Sequence, residues 1–128
     1  MRKSPDQDCL YLWRKYSRME SKLFMEGEEV PVTDLGGGVS RQMLGYNDQL
    51  MMVKVIFQKG AIGALHEHRH TQASFCAAGA FEFTIGDQKR VIEAGDATFI
   101  PPNVLHGVVC LEAGVLLDTF SPAREDYL

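Results

Sequence analysis

The sequence predicts an all-β fold, an antiparallel sandwich or barrel built as one domain. Short segments rich in β-branched and aromatic residues recur along the chain, with turn residues between them. One of these segments, residues 81–85, alternates apolar and polar side chains with the period of two that is typical of a half-buried strand. The 128 residues, of which 45% are hydrophobic, suit a single domain that has its own core.

The strand-forming segments all come after about Val30. Gly86 and Asp87 are turn residues between two such segments, so the sequence predicts a hairpin there. We also expect a turn at residues 112–114, which would separate the last two strands. The predicted strands are 50–57, 81–85, 89–92, 97–100, 108–111 and 115–120.

A helix is predicted ahead of the strands, over residues 5–25. Ser4 and Pro5 are residue types preferred at the N-cap and at the first helical position, and apolar side chains then recur at roughly helical spacing. We therefore expect an N-terminal helical extension over residues 1–27 and the β domain over residues 28–128.

Charge and composition exclude several classes of function. The net charge of −4 and the pI of about 5.5 disfavour a nucleic-acid partner, because that binding depends on cations that contact phosphates. No apolar run is long enough to span a bilayer, and the charged start of the chain has no apolar stretch behind it, so we expect neither a membrane span nor a signal peptide. Three widely spaced cysteines do not form a disulfide framework, and a reducing cytoplasm is the expected compartment.

Histidines are concentrated in one short segment. Three of the four lie in His66-Glu67-His68-Arg69-His70, and the fourth is His106. One interpretation is the His-Glu-x-x-His pattern, in which His66 and His70 would bind zinc from one face of a helix. The residues on both sides of the cluster lack the apolar stripe of a helix, which disfavours this interpretation.

The favoured interpretation places the cluster on a strand. Side chains two positions apart on a strand point to the same face, so His66 and His68 would face one interior. Gln72 lies four positions further on, and His106 would arrive from a distant strand. Imidazoles at this spacing bind ions such as zinc, nickel, iron or manganese. His70 would share their face in an unbroken strand, whereas a turn at that point would leave it outside the ligand set.

At these residues the sequence resembles the cupin family. Gly60-x5-His66-x-His68-x3-Gln72-x6-Gly79 is similar to the first cupin motif, with Gln72 where most members carry glutamate. Gly95-x5-Pro101-x-Asn103-x2-His106 is similar to the second motif. The resemblance implies a double-sheet β-barrel of the jelly-roll type, commonly a homodimer, with a metal ion inside one end. Because cupins support many activities, this resemblance alone implies no function.

A narrower resemblance, from about Val30 to the end, is to the pectin-degradation cupins called KdgF. Its most specific part is the C-terminal segment Asp118-x-Phe120-Ser121-Pro122-x-Arg124-Glu125-Asp126-Tyr127-Leu128. It implies metal-dependent conversion of 4,5-unsaturated uronate monosaccharides, released from pectin or alginate, into linear 4-deoxy-5-keto uronates. The implied ligands of one divalent ion (nickel, zinc, manganese or iron) are His66, His68, Gln72 and His106. The implied catalytic residues are Asp118, for proton transfer, and Arg124, which would also contact the substrate.

The chemistry of these residues is consistent with that resemblance. If Asp118 faces the interior, desolvation would raise its pKa and suit it to proton transfer; a solvent-facing aspartate paired with Arg124 is the alternative. An arginine matches a carboxylate bidentately, Phe120 would pack against the sugar, and Lys54 would be either a polar cavity residue or a solvated one. Neutral Gln72 in place of glutamate favours proton-transfer chemistry over that of an iron-dependent dioxygenase. A sugar-acid-binding cupin without turnover is the third hypothesis.

Overall fold

A computed structural model describes residues 19–128, which fold into eight antiparallel strands and a short C-terminal 3-10 turn, Glu125–Tyr127. No helix in this part of the chain is long and apolar enough to cross a bilayer. The strands are β1 (Thr33–Gly36), β2 (Val39–Tyr46), β3 (Met51–Phe57), β4 (Ile62–His66), β5 (Thr71–Ile85), β6 (Gln88–Glu93), β7 (Ala97–Ile100) and β8 (His106–Ser121). The predicted strands near 50–57, 81–85, 89–92 and 97–100 are confirmed, as is the all-β fold class.

Two long strands, β5 and β8, pair with each other and connect two sheets. The first half of β5 and the second half of β8 belong to a larger sheet, in the order β1-β2-β3-β8-β5-β7. Their other halves belong to a smaller sheet, in the order β4-β8-β5-β6. This is the two-sheet arrangement that the sequence resemblance implied.

The change from one sheet to the other occurs where two glycines meet. A Cβ added at Gly79, which has a φ of +84°, would lie 2.5 Å from the carbonyl oxygen of Glu112 and 2.6 Å from that of Ala113. Gly114 lies on β8 against the backbone of Ala78. The predicted turn at 112–114 is therefore wrong: the backbone continues as one strand from His106 to Ser121 and changes its register at this crossing.

The apolar core fills most of the space between the sheets. Phe57 and Phe81 pack edge to face with ring centroids 5.2 Å apart, and the described cysteines, Cys76 and Cys110, are buried free thiols in the same cluster. Beside this core lies a cavity of about 270 Å³ that reaches both sheets. The fold thus places a chamber between strands from distant parts of the sequence.

The N-terminal helix prediction is wrong where the structure tests it, at residues 19–25, which contain a turn and irregular backbone but no helix. The Ser21 N–H donates to the carbonyl of Tyr46 at 2.8 Å, and the Tyr46 N–H donates to Ser21 Oγ at 3.0 Å. These bonds to the end of β2 replace the local bonds of a helix. Leu23 and Phe24 are 93% and 87% exposed, so they do not form the expected packing face. The rest of the predicted helix lies outside the described residues.

Candidate functional site

Three histidines converge beside the cavity, and His66 and His106 line it. His66 ends β4 and pairs with His106, the first residue of β8, while His68 lies in the loop between β4 and β5. The nitrogen atoms that these three side chains offer all lie within 4.8 Å of one another. The helical zinc-protease interpretation is therefore wrong. The convergence of His66 and His68 is confirmed, although it comes from a loop that follows the strand and not from one continuous strand.

Each imidazole is oriented by a backbone carbonyl close to it in sequence. The Nδ1 atoms of His66, His68 and His106 lie 2.8, 3.0 and 2.8 Å from the carbonyl oxygens of Ala64, His70 and Val104, respectively. Because a carbonyl oxygen accepts and cannot donate, each Nδ1 carries the proton. The lone pair is then on Nε2 in all three rings. Metal-binding histidines are typically fixed in one tautomer in this way.

Gln72 adds an oxygen to the imidazoles. Its Oε1 lies 2.9 Å from His68 Nε2, and its Nε2 donates to Ser74 Oγ at 3.0 Å. The Ser74 hydroxyl donates in turn to Asp118 Oδ1 at 2.6 Å. Since that hydroxyl gives its proton to the carboxylate, it accepts from the Gln72 amide group, which leaves the amide oxygen directed at His68.

The donor set fits a divalent cation. His68 Nε2 and Gln72 Oε1 are two acceptors in contact, and His106 Nε2 is buried without a partner in the described residues. Desolvation lowers the pKa of His68, and it lowers the pKa of His106 to about 4, so both rings stay neutral near pH 7. Neutral imidazoles and a side-chain oxygen whose lone pairs converge are ligands that zinc, nickel and iron prefer.

Asp118 lies on β8 in the larger sheet and lines the same cavity as His66 and His106. Desolvation raises its pKa to about 6, while the Ser74 hydrogen bond and the positive charge of Arg124 oppose that rise. Of the two alternatives that the sequence left open, the structure places the carboxylate toward the interior. A carboxyl group with a pKa near 6 can both accept and donate a proton around neutral pH.

Arg124 is committed to a neighbour in the C-terminal segment. Its Nε and Nη2 donate to the two carboxylate oxygens of Asp126 at 3.0 and 2.8 Å, and its Nη1 is buried without a partner in the described residues. The guanidinium also lies over the ring of Tyr127, 4.4 Å from its centroid. Arg124 is near the site, but it does not line the cavity.

The other predicted substrate contacts are not at the cavity surface. Phe120 is 2% exposed and packs beneath His68, with ring centroids 5.7 Å apart. Lys54 alternates along β3 with the inward-facing Val53 and Val55, so it lies on the opposite face. The structure therefore brings neither side chain to the cavity.

His70 is buried next to the cluster but outside the converging group. Its ring lies 5.3 Å from that of His68, centroid to centroid, and both of its nitrogens lack hydrogen-bond partners in the described residues. Its backbone carbonyl orients the imidazole of His68. The chain turns at residues 67–70, which separates this side chain from the other three.

Sequence reasoning missed two cavity residues, Arg41 and Tyr127. Arg41 lies on β2, and its guanidinium lies over the ring of Tyr127, 4.0 Å from the centroid. Both side chains line the cavity with Asp118. The available signal was the alternation along β2, which places Arg41 on the same face as Val39; nothing in the sequence related that strand to the C-terminal segment.

A two-sheet β fold with three convergent imidazoles at one end of an internal cavity defines a histidine-lined β-barrel protein. Residues 53–120 match the model of the Cupin domain. The chain belongs to the cupin family and, within it, to the KdgF group. It is 50% identical over 103 residues to the pectin degradation protein KdgF of Dickeya dadantii (strain 3937), which covers 79% of this chain and 94% of that protein.

Solved structures give the same relationship. A cupin of the RmlC-like type from Shewanella frigidimarina is 49% identical and superposes with a TM-score of 0.84, over 86% of this chain and 99% of that one. KdgF from Halomonas is 35% identical, with a TM-score of 0.81, over 84% of this chain and 100% of that one. The sequence-based assignment to KdgF-type cupins is confirmed.

Proposed function

We propose that this protein is a metal-dependent enzyme that converts 4,5-unsaturated uronate monosaccharides to linear 4-deoxy-5-keto uronates. The relationship to KdgF supports this substrate class. The observation that carries the proposal is the placement of Asp118, whose pKa is raised to about 6, in the same cavity as His66 and His106. A group that binds substrate oxygens and a group that moves protons are what such a reaction needs.

The reaction is an isomerisation that moves protons and transfers no electrons to another molecule. The bond between the ring oxygen and the anomeric carbon breaks, and the anomeric hydroxyl loses its proton as that carbon becomes an aldehyde. The ring oxygen leaves as an enolate that is conjugated with the carboxylate. The enolate then takes one proton at the neighbouring carbon, equal in number to the one that the anomeric hydroxyl lost, and becomes a ketone, so all atoms of the substrate remain in the product.

The metal would be held by His66, His68 and His106 through Nε2 and by Gln72 through Oε1. When bound, a divalent ion of the nickel, zinc, manganese or iron class supplies Lewis acidity that polarises substrate oxygens. The amide ligand adds no negative charge, so the ion keeps its full charge toward the substrate. This property favours proton-transfer chemistry over the dioxygenase alternative, which depends on reaching oxidised iron.

Asp118 is the group proposed to move the proton. Its carboxylate accepts a proton from a substrate hydroxyl and returns it to carbon, and a pKa near 6 suits both steps. Ser74 holds Oδ1 with a hydrogen bond of 2.6 Å, which leaves Oδ2 for the substrate. Arg124 lowers the pKa of Asp118 by its charge, and it pairs with Asp126 within the C-terminal segment.

A direct assay tests the proposal. Metal-loaded protein is mixed with unsaturated uronate freshly made by a lyase, and the loss of ultraviolet absorbance of the conjugated double bond is compared with the spontaneous rate. We expect fast loss that a chelator abolishes. Asp118→Ala should remove the acceleration, whereas Asp87→Ala, a change at an exposed turn, should leave it intact.

Each other outcome has a definite meaning. Acceleration that needs metal but persists in Asp118→Ala would keep the function and refute the proton-transfer role. Oxygen consumption by the iron-loaded protein would support the dioxygenase alternative. Tight binding of the uronate without any product would support a sugar-acid-binding cupin.

We also propose a homodimer that uses the outer face of the larger sheet. Phe99, Phe75 and Met52 lie on that face and are 63, 44 and 39% exposed. Burial of such side chains against a second copy would remove apolar surface from water. Light scattering on the wild type and on Phe99→Ser tests this, and a monomeric wild type would refute it.

The compartment and the extent of the catalytic unit are further parts of the proposal. Cys76 and Cys110 are free thiols, which is consistent with a reducing cytoplasm. We propose that residues 28–128 form the catalytic domain and that residues 1–27 are an extension to it. A chain that begins at residue 28 and retains full activity would support this division.

A further inference from the structure

Arg41 is a cationic side chain in the cavity that has no charged or hydrogen-bonding side-chain partner within the part of the chain that the structure describes. Within residues 19–128 its guanidinium forms none of the ion pairs and none of the side-chain hydrogen bonds. It is half-buried, lines the cavity and rests on the ring of Tyr127 at 4.0 Å. Stacking on an aromatic ring fixes the plane of a guanidinium while its N–H groups stay available at the edge.

Arg124, the other arginine near the site, already has a charged partner. Arg124 already uses Nε and Nη2 in a two-point pair with Asp126, its Nη1 is closed off from solvent, and it does not line the cavity. A carboxylate that entered the cavity would reach Arg41 directly, whereas Arg124 does not line the cavity and offers only the N–H groups that its pair with Asp126 leaves over. A cation at this place would also reduce the repulsion between the ionised Asp118 in the same cavity and an acidic substrate.

The strand order places Arg41 at a suitable separation from the proton-transfer group. Arg41 is opposite Val55 on β3, and Val55 is opposite Leu116 on β8, so Arg41 lies two strands from β8 and is offset by two residues along it from Asp118. Two strand spacings of about 10 Å and an offset of about 7 Å place the two backbone positions roughly 12 Å apart. An arginine side chain extending from one side can therefore hold one end of a sugar acid while Asp118 acts on its ring.

We infer that Arg41 binds the carboxylate of the substrate and makes the cavity selective for uronates over neutral sugars, with Tyr127 as the surface that holds the guanidinium in place. This inference rests on the proposed function for its substrate class. It replaces the expectation that Arg124 makes this contact. The recognition is a two-point, charge-assisted hydrogen bond, which a lysine reproduces only in part.

The test compares the unsaturated uronate with its methyl ester, which has the same ring but no negative charge. The wild type should prefer the acid. Arg41→Gln should raise the KM for the acid about 10- to 100-fold, as expected for loss of a hydrogen bond between charged groups, while kcat/KM for the ester changes less than about threefold. For Arg41→Lys, the KM for the acid should lie between those of the wild type and Arg41→Gln. Arg90→Gln, at an exposed position on β6, should behave as the wild type.

Several results would overturn the inference. One is an unchanged preference for the acid in Arg41→Gln. Another is an equal loss on acid and ester, which would mean that Arg41 only supports the fold. A third is loss of the preference in Arg124→Gln instead. If Arg41→Gln does not fold, judged by circular dichroism, Arg41→Lys provides the same comparison.

A binding arm separates this inference from the proposed function. Calorimetry with saturated galacturonate and with neutral galactose requires no turnover. Stronger binding of the acid to the wild type, lost in Arg41→Gln, would support the inference even if the unsaturated uronate is not converted. If neither form of the unsaturated sugar reacts and the saturated acid still binds through Arg41, the proposed function fails and the carboxylate site remains.

Discussion

The two sheets that enclose the cavity supply different kinds of groups, and they hold those groups in different ways. The smaller sheet supplies His66 and His106, each oriented by a backbone carbonyl two residues away. The larger sheet supplies Asp118, which is held by Ser74 from a position 44 residues distant, and Arg41, which rests on Tyr127. The two imidazoles of the smaller sheet are oriented by local bonds, whereas Asp118 and Arg41 are held by residues distant from them in the sequence. The two can therefore be disrupted separately.

The largest effect on stability is expected at Gly79, where β5 and β8 approach closely and pass from one sheet to the other. Gly79→Ala introduces a Cβ that would lie 2.5 Å from a backbone oxygen, at a φ of +84°. We expect a loss of several kcal/mol, about 3 or more, in the free energy of unfolding, because the backbones must separate. Gly95→Ala is the matched control: its φ is +97° but nothing lies within 4 Å, so it should cost only the backbone strain of about 1–2 kcal/mol. If urea unfolding shows equal losses of stability in the two variants, the close backbone approach at Gly79 is not the cause of the destabilisation.

A change confined to the smaller sheet should remove the metal and spare the fold. His106→Ala deletes a buried imidazole whose Nε2 has no partner in the described residues. We expect metal affinity to fall about 100-fold or more and metal-dependent activity to fall with it. Metal analysis after dialysis, together with the thermal unfolding of the metal-free protein, checks this. Full retention of metal would mean that the histidines are not the ligands.

A change confined to the larger sheet should slow proton transfer and leave the metal content unchanged. Asp118→Asn keeps the shape of the side chain and its contact with Ser74 but removes the group that accepts a proton. We expect kcat to fall about 10²- to 10⁴-fold, the usual contribution of general acid–base catalysis, with metal content unchanged. Steady-state kinetics and metal analysis on the same preparation test this. A normal kcat would assign proton transfer to another group.

The smallest expected effect concerns the connection between the two sets of groups. Ser74 accepts from Gln72 and donates to Asp118, and its hydrogen bond lowers the pKa of that carboxyl. In Ser74→Ala the pKa of Asp118 should rise above about 6, so the acidic limb of the pH–rate profile should move to higher pH. If the pKa rises by about one unit, we expect about a fivefold loss of rate at pH 6 and a smaller loss at pH 8. A uniform loss at every pH would indicate a structural role only.

The same division explains what the sequence could predict. The spacing of His66 and His68 identified the cluster, because local spacing is visible in a sequence, and the resemblance to the second cupin motif added the distant His106. The sequence did not identify Arg41 as a site residue, because its location in the cavity depends on the packing of β2 beside the C-terminal segment. Residues 19–25 had helical spacing, yet bonds to Tyr46 determine their backbone. Gly114 was predicted to lie in a turn, but it lies within strand β8, where it comes close to the backbone of Ala78.

The proton-transfer role of Asp118 is tested most directly by the stereochemical position at which the product gains its new proton. The metal-loaded protein is given the unsaturated uronate in D₂O, and the product is examined by NMR early in the reaction, with the spontaneous reaction and Asp118→Asn as references. If Asp118 delivers the proton from one side of a bound substrate, the enzymatic product carries deuterium at a single stereochemical position of the new CH₂ group. Deuterium spread over both positions, at a rate no faster than the spontaneous reaction, would contradict the account.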